Sequence, residues 1–148
     1  MTLTEATVET AALNWFESLG YCSGHGPDIA PGQRDAERES FRDVVLVDRL
    51  REAVDRLNPS IPEVAKEDAI RQVLRLDATS LVGRNRVFHK MLRDGVAVEY
   101  QRADGSIAGD RVVLIAFDEI SRNDWFVVNQ LTVIEGTHNR RPDIVVLS

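Results

Sequence analysis

The 148-residue sequence contains little cysteine and no long apolar run. Its one cysteine, Cys22, excludes an internal disulfide and a cysteine-based zinc site. No apolar stretch approaches the roughly 20 residues that a membrane-spanning helix needs. The first ten residues also lack the basic flank and apolar core of a secretion signal. We therefore expect a soluble, cytoplasmic protein that has no membrane partner.

Basic charge is scarce as well. There are 18 Lys and Arg residues against 24 Asp and Glu residues, a formal net charge of −6, which argues against a protein held to DNA mainly by a basic surface. Neither glycine-rich phosphate-binding loop, G-x-x-x-x-G-K-[ST] or G-x-G-x-x-G, is present, so no cofactor-binding residues are predicted. Of the three histidines, His25, His89 and His138, no two have the spacing of a zinc site, and we interpret His25 and His89 as packing or surface residues.

The composition that remains, 43% hydrophobic and 28% charged, is typical of one globular domain over residues 1–148. A first helix is predicted from a capping box of Thr2 and Glu5, with Gly20 as its end. Its apolar residues recur at helical spacing and predict a buried stripe of Val8, Ala12, Trp15, Phe16 and Leu19. The next residues, 21–23, are expected to begin a short strand.

A loop at 24–39 and a helical segment at 41–93 follow. The glycines, prolines and dense charges of the loop fit neither the helical nor the strand period. Three helices are predicted in the segment: one capped by Ser40 and ended by Asn58-Pro59, one with a Ser60–Glu63 capping box, and one capped by Ser80 and ended by Gly95. The third is expected to turn four side chains inward, namely Leu81, Phe88, Met91 and Leu92.

The pattern becomes that of strands after Gly95. Val96, Val98 and Tyr100 alternate with other residues, and Asp104-Gly105 predicts a hairpin turn. Two β-rich runs lie at 111–118 and 125–135, a basic loop at 136–141, and a last apolar run at 144–147. The order of helices and strands predicts the α/β class in its α+β form, with an antiparallel or mixed sheet.

The C-terminal segment carries the chemically interesting residues. Pro142 favours an extended conformation before it, so Asp143 lies at the mouth of a strand behind two arginines. A second carboxylate opposite Asp143 would provide the pair of oxygen ligands with which a protein can hold a hard cation such as Mg²⁺. The Pro-Asp dipeptide on its own is more typical of a plain turn with a surface acid.

Three blocks of sequence, in order, resemble a known family. Residues 4–13, followed by Trp15-Phe16 and Leu19-Gly20-Tyr21, resemble the opening helix of the R (restriction and motor) subunit of type I restriction enzymes. Residues 127–133, VVNQLTV, resemble a middle block of that family. Residues 139–145, NRRPDIV, resemble the first half of its PD-(D/E)xK nuclease motif.

This resemblance implies a restriction-endonuclease-like core flanked by helices and a Mg²⁺-dependent cleavage of DNA. Asp143 would be the metal-binding aspartate, and Glu9, or less favourably Glu5, the helix carboxylate that assists it. The family's partners are DNA and the modification and specificity subunits of a type I complex. Its motor domains bind ATP and translocate DNA.

The sequence departs from the family pattern after Asp143. No Glu-x-Lys follows before Ser148, and these residues would supply a metal ligand and a lysine that stabilises charge on the reacting phosphate. We therefore expect an N-terminal fragment that lacks its last hairpin and is inactive as a nuclease alone. Its strand at 144–147 would leave an apolar edge without a partner.

The basic residues divide into two groups. Arg140 and Arg141 flank the aspartate and are predicted to contact DNA. Arg84, Arg86, Lys90 and Arg93 are interpreted as the solvated face of a helix. Two alternatives stay open beside the nuclease: a non-catalytic module that docks on partner subunits, and an unrelated small α+β binding domain or enzyme.

Overall fold

The computed structural model of the chain describes residues 4–76 and 78–148. The fold divides into two units. The first comprises the residues up to Val47 together with Asp124–Ser148, and the second comprises Asp48–Asn123. Among the described residues, no helix is both long enough and apolar enough to span a membrane.

The first helix, α1, spans Glu5–Ser18. Its cap is Thr4, whose hydroxyl accepts a hydrogen bond of 3.3 Å from the backbone N–H of Thr7. The predicted cap, Thr2, lies outside the described residues. Gly20 follows the helix with a φ of 91°, which confirms the predicted left-handed end.

The predicted buried stripe of α1 is largely exposed. The side chains of Val8, Trp15 and Leu19 are 57%, 73% and 74% exposed. Phe16 is half-buried and packs edge-on against Tyr21, with ring centroids 5.1 Å apart. Helical spacing determines which residues share a face, but other elements must supply the surface that covers it. The prediction of a buried stripe was therefore wrong for most of its members.

A three-stranded mixed sheet forms the centre of the first unit, in the order β1-β4-β7. Strand β1 (Cys22–His25) runs parallel to β4 (Phe126–Asn129), and β7 (Ile144–Leu147) runs antiparallel to β4. The apolar core of this unit consists of Ile29, Leu46, Phe126, Val128 and Leu131. The predicted α+β fold with a mixed sheet is confirmed. The predicted strand at 144–147 is also confirmed, and it is one of the two outer strands of this sheet.

The predicted basic loop at 136–141 contains a strand instead. Strand β5 (Val133–Glu135) pairs antiparallel with β6 (His138–Arg140), with Val133 opposite Arg140. Gly136, with a φ of 59°, begins the two-residue turn between them. The predicted run at 125–135 is split into β4 and β5 by Gln130, whose φ of 54° takes the backbone out of the extended region.

The segment between His25 and Val47 contains neither a helix nor a strand. The predicted loop therefore begins two residues later than expected, because Gly24 and His25 belong to β1. The helix predicted from Ser40 was wrong at its start, since α2 spans Val47–Leu57. The side chain of Asp43 accepts a 2.8 Å hydrogen bond from the backbone N–H of Ser40, and this local turn replaces the first helical turns.

Three helices precede the hairpin of the second unit. Helix α2 ends before Asn58-Pro59, as predicted. Helix α3 spans Glu63–Leu74 and is capped by Pro62 without a side-chain hydrogen bond. The predicted Ser60–Glu63 capping box was wrong, because Glu63 is the first residue of the helix and a capping box needs its glutamate at the third.

Helix α4 spans Leu81–Asp94, and its ends were predicted correctly. Ser80 accepts a 3.1 Å hydrogen bond from the N–H of Gly83, and Gly95 ends the helix with a φ of 75°. Three of the four predicted inward side chains, Phe88, Met91 and Leu92, pack against the core of this unit. Leu81, the first residue of the helix, is 69% exposed and is not among the side chains packed against that core.

Strands β2 (Val96–Gln101) and β3 (Ile107–Val112) form the predicted hairpin around Asp104-Gly105. The run predicted at 111–118 was placed too late, because the hairpin register pairs Val112 with Val96 and so ends β3 there. Their inner side chains join those of the helices in a second core, which includes Val54, Ile70, Val73, Val96 and Val112.

An ion pair between α2 and α3 makes the stability of the chain depend on pH. The guanidinium of Arg51 binds Glu67 through contacts of 2.9 and 3.4 Å, and this hydrogen bond lowers the pKa of Glu67 below its ordinary value. Hydrogen bonds from Gln72 and then Arg71 lower the pKa of Asp68. The unfolded chain therefore binds these protons at a higher pH than the folded chain does.

We expect the free energy of unfolding to fall as the pH drops below about 4.5, the ordinary pKa of a glutamate. The fall should continue until the pH is below the lower pKa values that Glu67 and Asp68 have in the folded chain. Substitution Glu67→Gln should reduce this acid dependence, and Arg51→Met should do the same. Urea unfolding between pH 3 and pH 7 measures the effect. Identical acid profiles for Glu67→Gln and the parent chain would contradict the prediction.

Candidate nuclease site

One edge of the mixed sheet gathers the ends of all three strands. Strands β1 and β4 are parallel, so their last residues, His25 and Asn129, lie side by side. Strand β7 is antiparallel to β4, so it begins at the same edge, where Ile144 is opposite Asn129. Asp143 directly precedes β7 and therefore lies at this edge, as predicted from its place at a strand mouth.

Gln130 connects the two predicted metal ligands. Its backbone N–H donates a 3.0 Å hydrogen bond to the carbonyl of Asp143. Its side-chain amide donates to both carboxylate oxygens of Glu9, at 3.1 and 3.2 Å. Glu9 is half-buried on α1, and Glu5 is exposed one turn earlier. The structure thus brings Glu9 and Asp143 to a common neighbour.

Gly26 allows β1 to approach Gln130 closely. Its N–H donates a 2.8 Å hydrogen bond to the carbonyl of Asn129. A side-chain carbon at this position would meet the carbonyl of Gln130 and would lie 2.7 Å from the Cα of Leu131. A glycine is therefore required for the backbone to pass here.

His25 is a surface residue, as predicted, and it also lines the candidate site. Its Nδ1 and the side-chain oxygen of Asn129 are 2.8 Å apart. An amide oxygen can only accept a hydrogen bond, so this contact requires a proton on Nδ1 of His25. Sequence reasoning missed this contact, because the predicted loop already began at residue 24 and Asn129 lies 104 residues away along the chain.

The remaining predicted residues lie close by in the chain. Arg140 is the last residue of β6, and Arg141 follows it; both side chains are exposed. With Pro142 they connect the β5–β6 hairpin to Asp143. The site therefore has carboxylates at the sheet edge and two guanidinium groups immediately before it.

The donor chemistry of this edge fits Mg²⁺. Proteins commonly hold this ion by one or two carboxylates, and water completes its octahedron. Glu9 and Asp143 offer hard oxygen donors, and the amide of Gln130 orients the Glu9 carboxylate. Within residues 4–76 and 78–148, no three His, Cys, Asp or Glu side chains form a metal-holding group. The described residues thus offer two candidate carboxylates, Glu9 and Asp143, and not a complete set of side-chain ligands.

Comparison with known proteins gives a consistent picture. The family described as "Type I restriction enzyme R protein N terminus" matches residues 2–148. The HindI type I restriction enzyme endonuclease subunit of Haemophilus influenzae is 36% identical over 144 residues, which cover 97% of this chain and 14% of that relative. A putative MjaIXP type I endonuclease subunit of Methanocaldococcus jannaschii is 34% identical over 142 residues, covering 94% of this chain and 13% of that relative.

The chain thus spans about one seventh of the length of these two relatives. The chain belongs to the family of type I restriction enzyme R protein N termini, and corresponds to the N-terminal part of type I endonuclease subunits.

Proposed function

We propose that the first unit forms part of the Mg²⁺-dependent DNA-cleaving site of a type I restriction endonuclease. The observation that carries this proposal is the hydrogen-bonded series from Glu9 through Gln130 to Asp143 at one edge of the sheet. In a complete subunit, the ATP-binding motor and the modification and specificity subunits would deliver DNA to this edge, in the cytoplasm.

Each residue of the edge has a separate task in this proposal. The carboxylate of Asp143 would hold the cation, and that of Glu9 would hold it directly or through a water molecule. When bound, Mg²⁺ supplies positive charge at the phosphodiester and lowers the pKa of a coordinated water. Gln130 fixes the orientation of Glu9, and Arg140 and Arg141 contact DNA phosphates beside the site.

Metal binding by this chain tests the proposal. Mn²⁺ is the probe, because it replaces Mg²⁺ at oxygen sites and broadens nearby NMR signals. We expect broadening of the amide signals of Gln130 and Asp143, reversed by excess Mg²⁺ and lost in Asp143→Asn. The matched control is Asp110→Asn, which removes an exposed acid from the second unit.

Broadening that is unchanged in Asp143→Asn would overturn the assignment. An absence of Mn²⁺ binding in the folded chain would favour the alternative of a non-catalytic interaction module. In a plasmid-nicking assay with Mg²⁺, we expect no cleavage by this chain, because it supplies no Glu-x-Lys after Asp143. Cleavage that Asp143→Ala abolishes would contradict that expectation.

A further inference from the structure

His25 has a backbone that its two neighbours leave little room to move. A side-chain carbon at Gly24 would lie 2.5 Å from the ring of Phe126, and one at Gly26 would meet the carbonyl of Gln130. The side chain of His25 is itself exposed, so it does not belong to a core. The imidazole therefore projects from a closely packed point at the edge of the sheet.

The imidazole contacts the last residue of β4. Its Nδ1 donates a 2.8 Å hydrogen bond to the side-chain oxygen of Asn129. Within residues 4–76 and 78–148, neither side chain makes another hydrogen bond. The carbonyl of Asn129 accepts a further 2.8 Å bond from the N–H of Gly26. Both the side chain and the backbone of Asn129 are thus attached to the end of β1.

Asn129 directly precedes Gln130, where the chain leaves the sheet. Gln130 has a φ of 54° and is the one residue other than glycine with a positive φ among those that the structure describes. A residue with a Cβ keeps this conformation only where its surroundings hold it. On the far side of Gln130, the buried Arg38 donates to the carbonyl of Thr132 at 2.5 Å. The contact between His25 and Asn129 holds the near side.

The conformation of Gln130 determines two hydrogen bonds of the candidate metal site. Its backbone N–H donates to the carbonyl of Asp143 at 3.0 Å, and its side-chain amide donates to the Glu9 carboxylate at 3.1 and 3.2 Å. A rotation of the backbone at Gln130 would move both donors together. A carboxylate that loses such a hydrogen bond is free to reorient, and it then binds a cation less tightly.

We propose that His25 is a positioning residue of the metal site. Its Nδ1–H fixes Asn129, Asn129 fixes the turn at Gln130, and Gln130 orients the Glu9 carboxylate. His25 acts in this way without touching the cation. The role requires that this edge of the sheet binds a metal, so the inference rests on the proposed function.

Two substitutions at His25 separate its two ring nitrogens. An asparagine has a side-chain N–H near the position of Nδ1, and a glutamine has one near that of Nε2. We expect Mn²⁺, followed by broadening of the Asp143 amide signal, to bind His25→Ala and His25→Gln roughly tenfold more weakly than the parent chain. His25→Asn should bind Mn²⁺ as tightly as the parent chain does. The matched control is His89→Ala, which removes an exposed imidazole from α4 and should not affect this signal.

The order of the variants decides between the two nitrogens. Tight binding by His25→Gln together with weak binding by His25→Asn would assign Nε2 as a metal ligand and would refute the positioning role. Binding by His25→Asn that is as weak as that of His25→Ala would refute it too, because the Nδ1–H would then have no separate part. Equal affinity of all the variants and the parent chain would show that His25 does not act on the site.

A double-mutant cycle tests whether His25 acts through Gln130. Gln130→Met keeps the length of the side chain and removes its hydrogen bond to Glu9. We expect His25→Ala to have little further effect on Mn²⁺ affinity in the Gln130→Met background, whereas additive losses would contradict the proposed route. The urea midpoint of His25→Ala should match that of the parent chain, because its hydrogen bond is exposed. A lowered midpoint would assign His25 to general stability instead.

A measurement without metal separates this role from the proposed function. The side-chain amide of Gln130 has its own NMR signals, and its exchange with water reports the hydrogen bond to Glu9. We expect faster exchange in His25→Ala and parent-like exchange in His25→Asn. If the parent chain binds no Mn²⁺, the proposed function fails, and this exchange still decides whether His25 holds Gln130. Unchanged exchange in His25→Ala would overturn the inference even if the parent chain binds Mn²⁺.

Discussion

Substitution Gly26→Ala is expected to disturb both the stability and the metal binding of the first unit. The new methyl carbon would lie 2.7 Å from the Cα of Leu131 and would collide with the backbone of Gln130. Because both neighbours are backbone atoms, a rotamer change cannot relieve the overlap. We expect a loss of about 1–3 kcal/mol in the free energy of unfolding. Urea unfolding measures it.

The same substitution should weaken Mn²⁺ binding, because it displaces the residue that connects Glu9 with Asp143. The control is Gly109→Ala, since a side-chain carbon at Gly109 meets nothing within 4 Å and its φ is not positive. That change should leave stability unchanged or raise it by about 0.5 kcal/mol. Equal stability of Gly26→Ala and the parent chain would show that the close approach of β1 to Gln130 is not required.

Substitution Asn58→Ala is expected to destabilise the second unit strongly. Asn58 is 4% exposed, and its amide donates to the carbonyls of Val54 and Val113, both at 2.8 Å. Its side-chain oxygen accepts from the N–H of Val113 at 2.7 Å. Truncation removes the side-chain partner of both the N–H and the carbonyl of Val113, whereas the carbonyl of Val54 still accepts from the backbone N–H of residue 58, so we expect a loss of about 2–4 kcal/mol.

A second variant tests the amide nitrogen of Asn58 separately from its amide oxygen. Asn58→Asp keeps the acceptor for Val113 but removes both donated hydrogen bonds, so it should also destabilise the chain. Asn85→Ala, an exposed position on α4, is the control and should change stability little. Chemical unfolding that shows similar midpoints for Asn58→Ala and Asn85→Ala would contradict the prediction.

Features that depend on neighbours in the sequence were predicted well. The cap at Ser80, the end at Gly95 and the Asp104-Gly105 hairpin all form where their local patterns indicated. Each depends on hydrogen bonds or backbone angles within a few residues, so a short window contains the whole cause. Two predictions failed. A local turn forms at Ser40 in place of the start of a helix, and a strand forms within segment 136–141 in place of a loop.

The candidate site was predictable only in part. Asp143 and Glu9 were named through the family resemblance, and the structure brings them to a common neighbour. Gln130 and Arg38 were missed, because their partners lie 121 and 94 residues away along the chain. A buried arginine in a glycine- and charge-rich loop has no local signal that distinguishes it from a solvated one.

The sequence by itself determined the class of fold, the family and the carboxylate that precedes the last strand. These follow from periodicity and from three ordered blocks of residues, both of which are present in the linear chain. Tertiary structure alone decided that the stripe of α1 stays largely exposed, that residues 138–140 pair with residues 133–135 in a hairpin, and that Arg38 is buried. Burial and long-range hydrogen bonds depend on which distant elements meet, and a local pattern carries no information about that meeting.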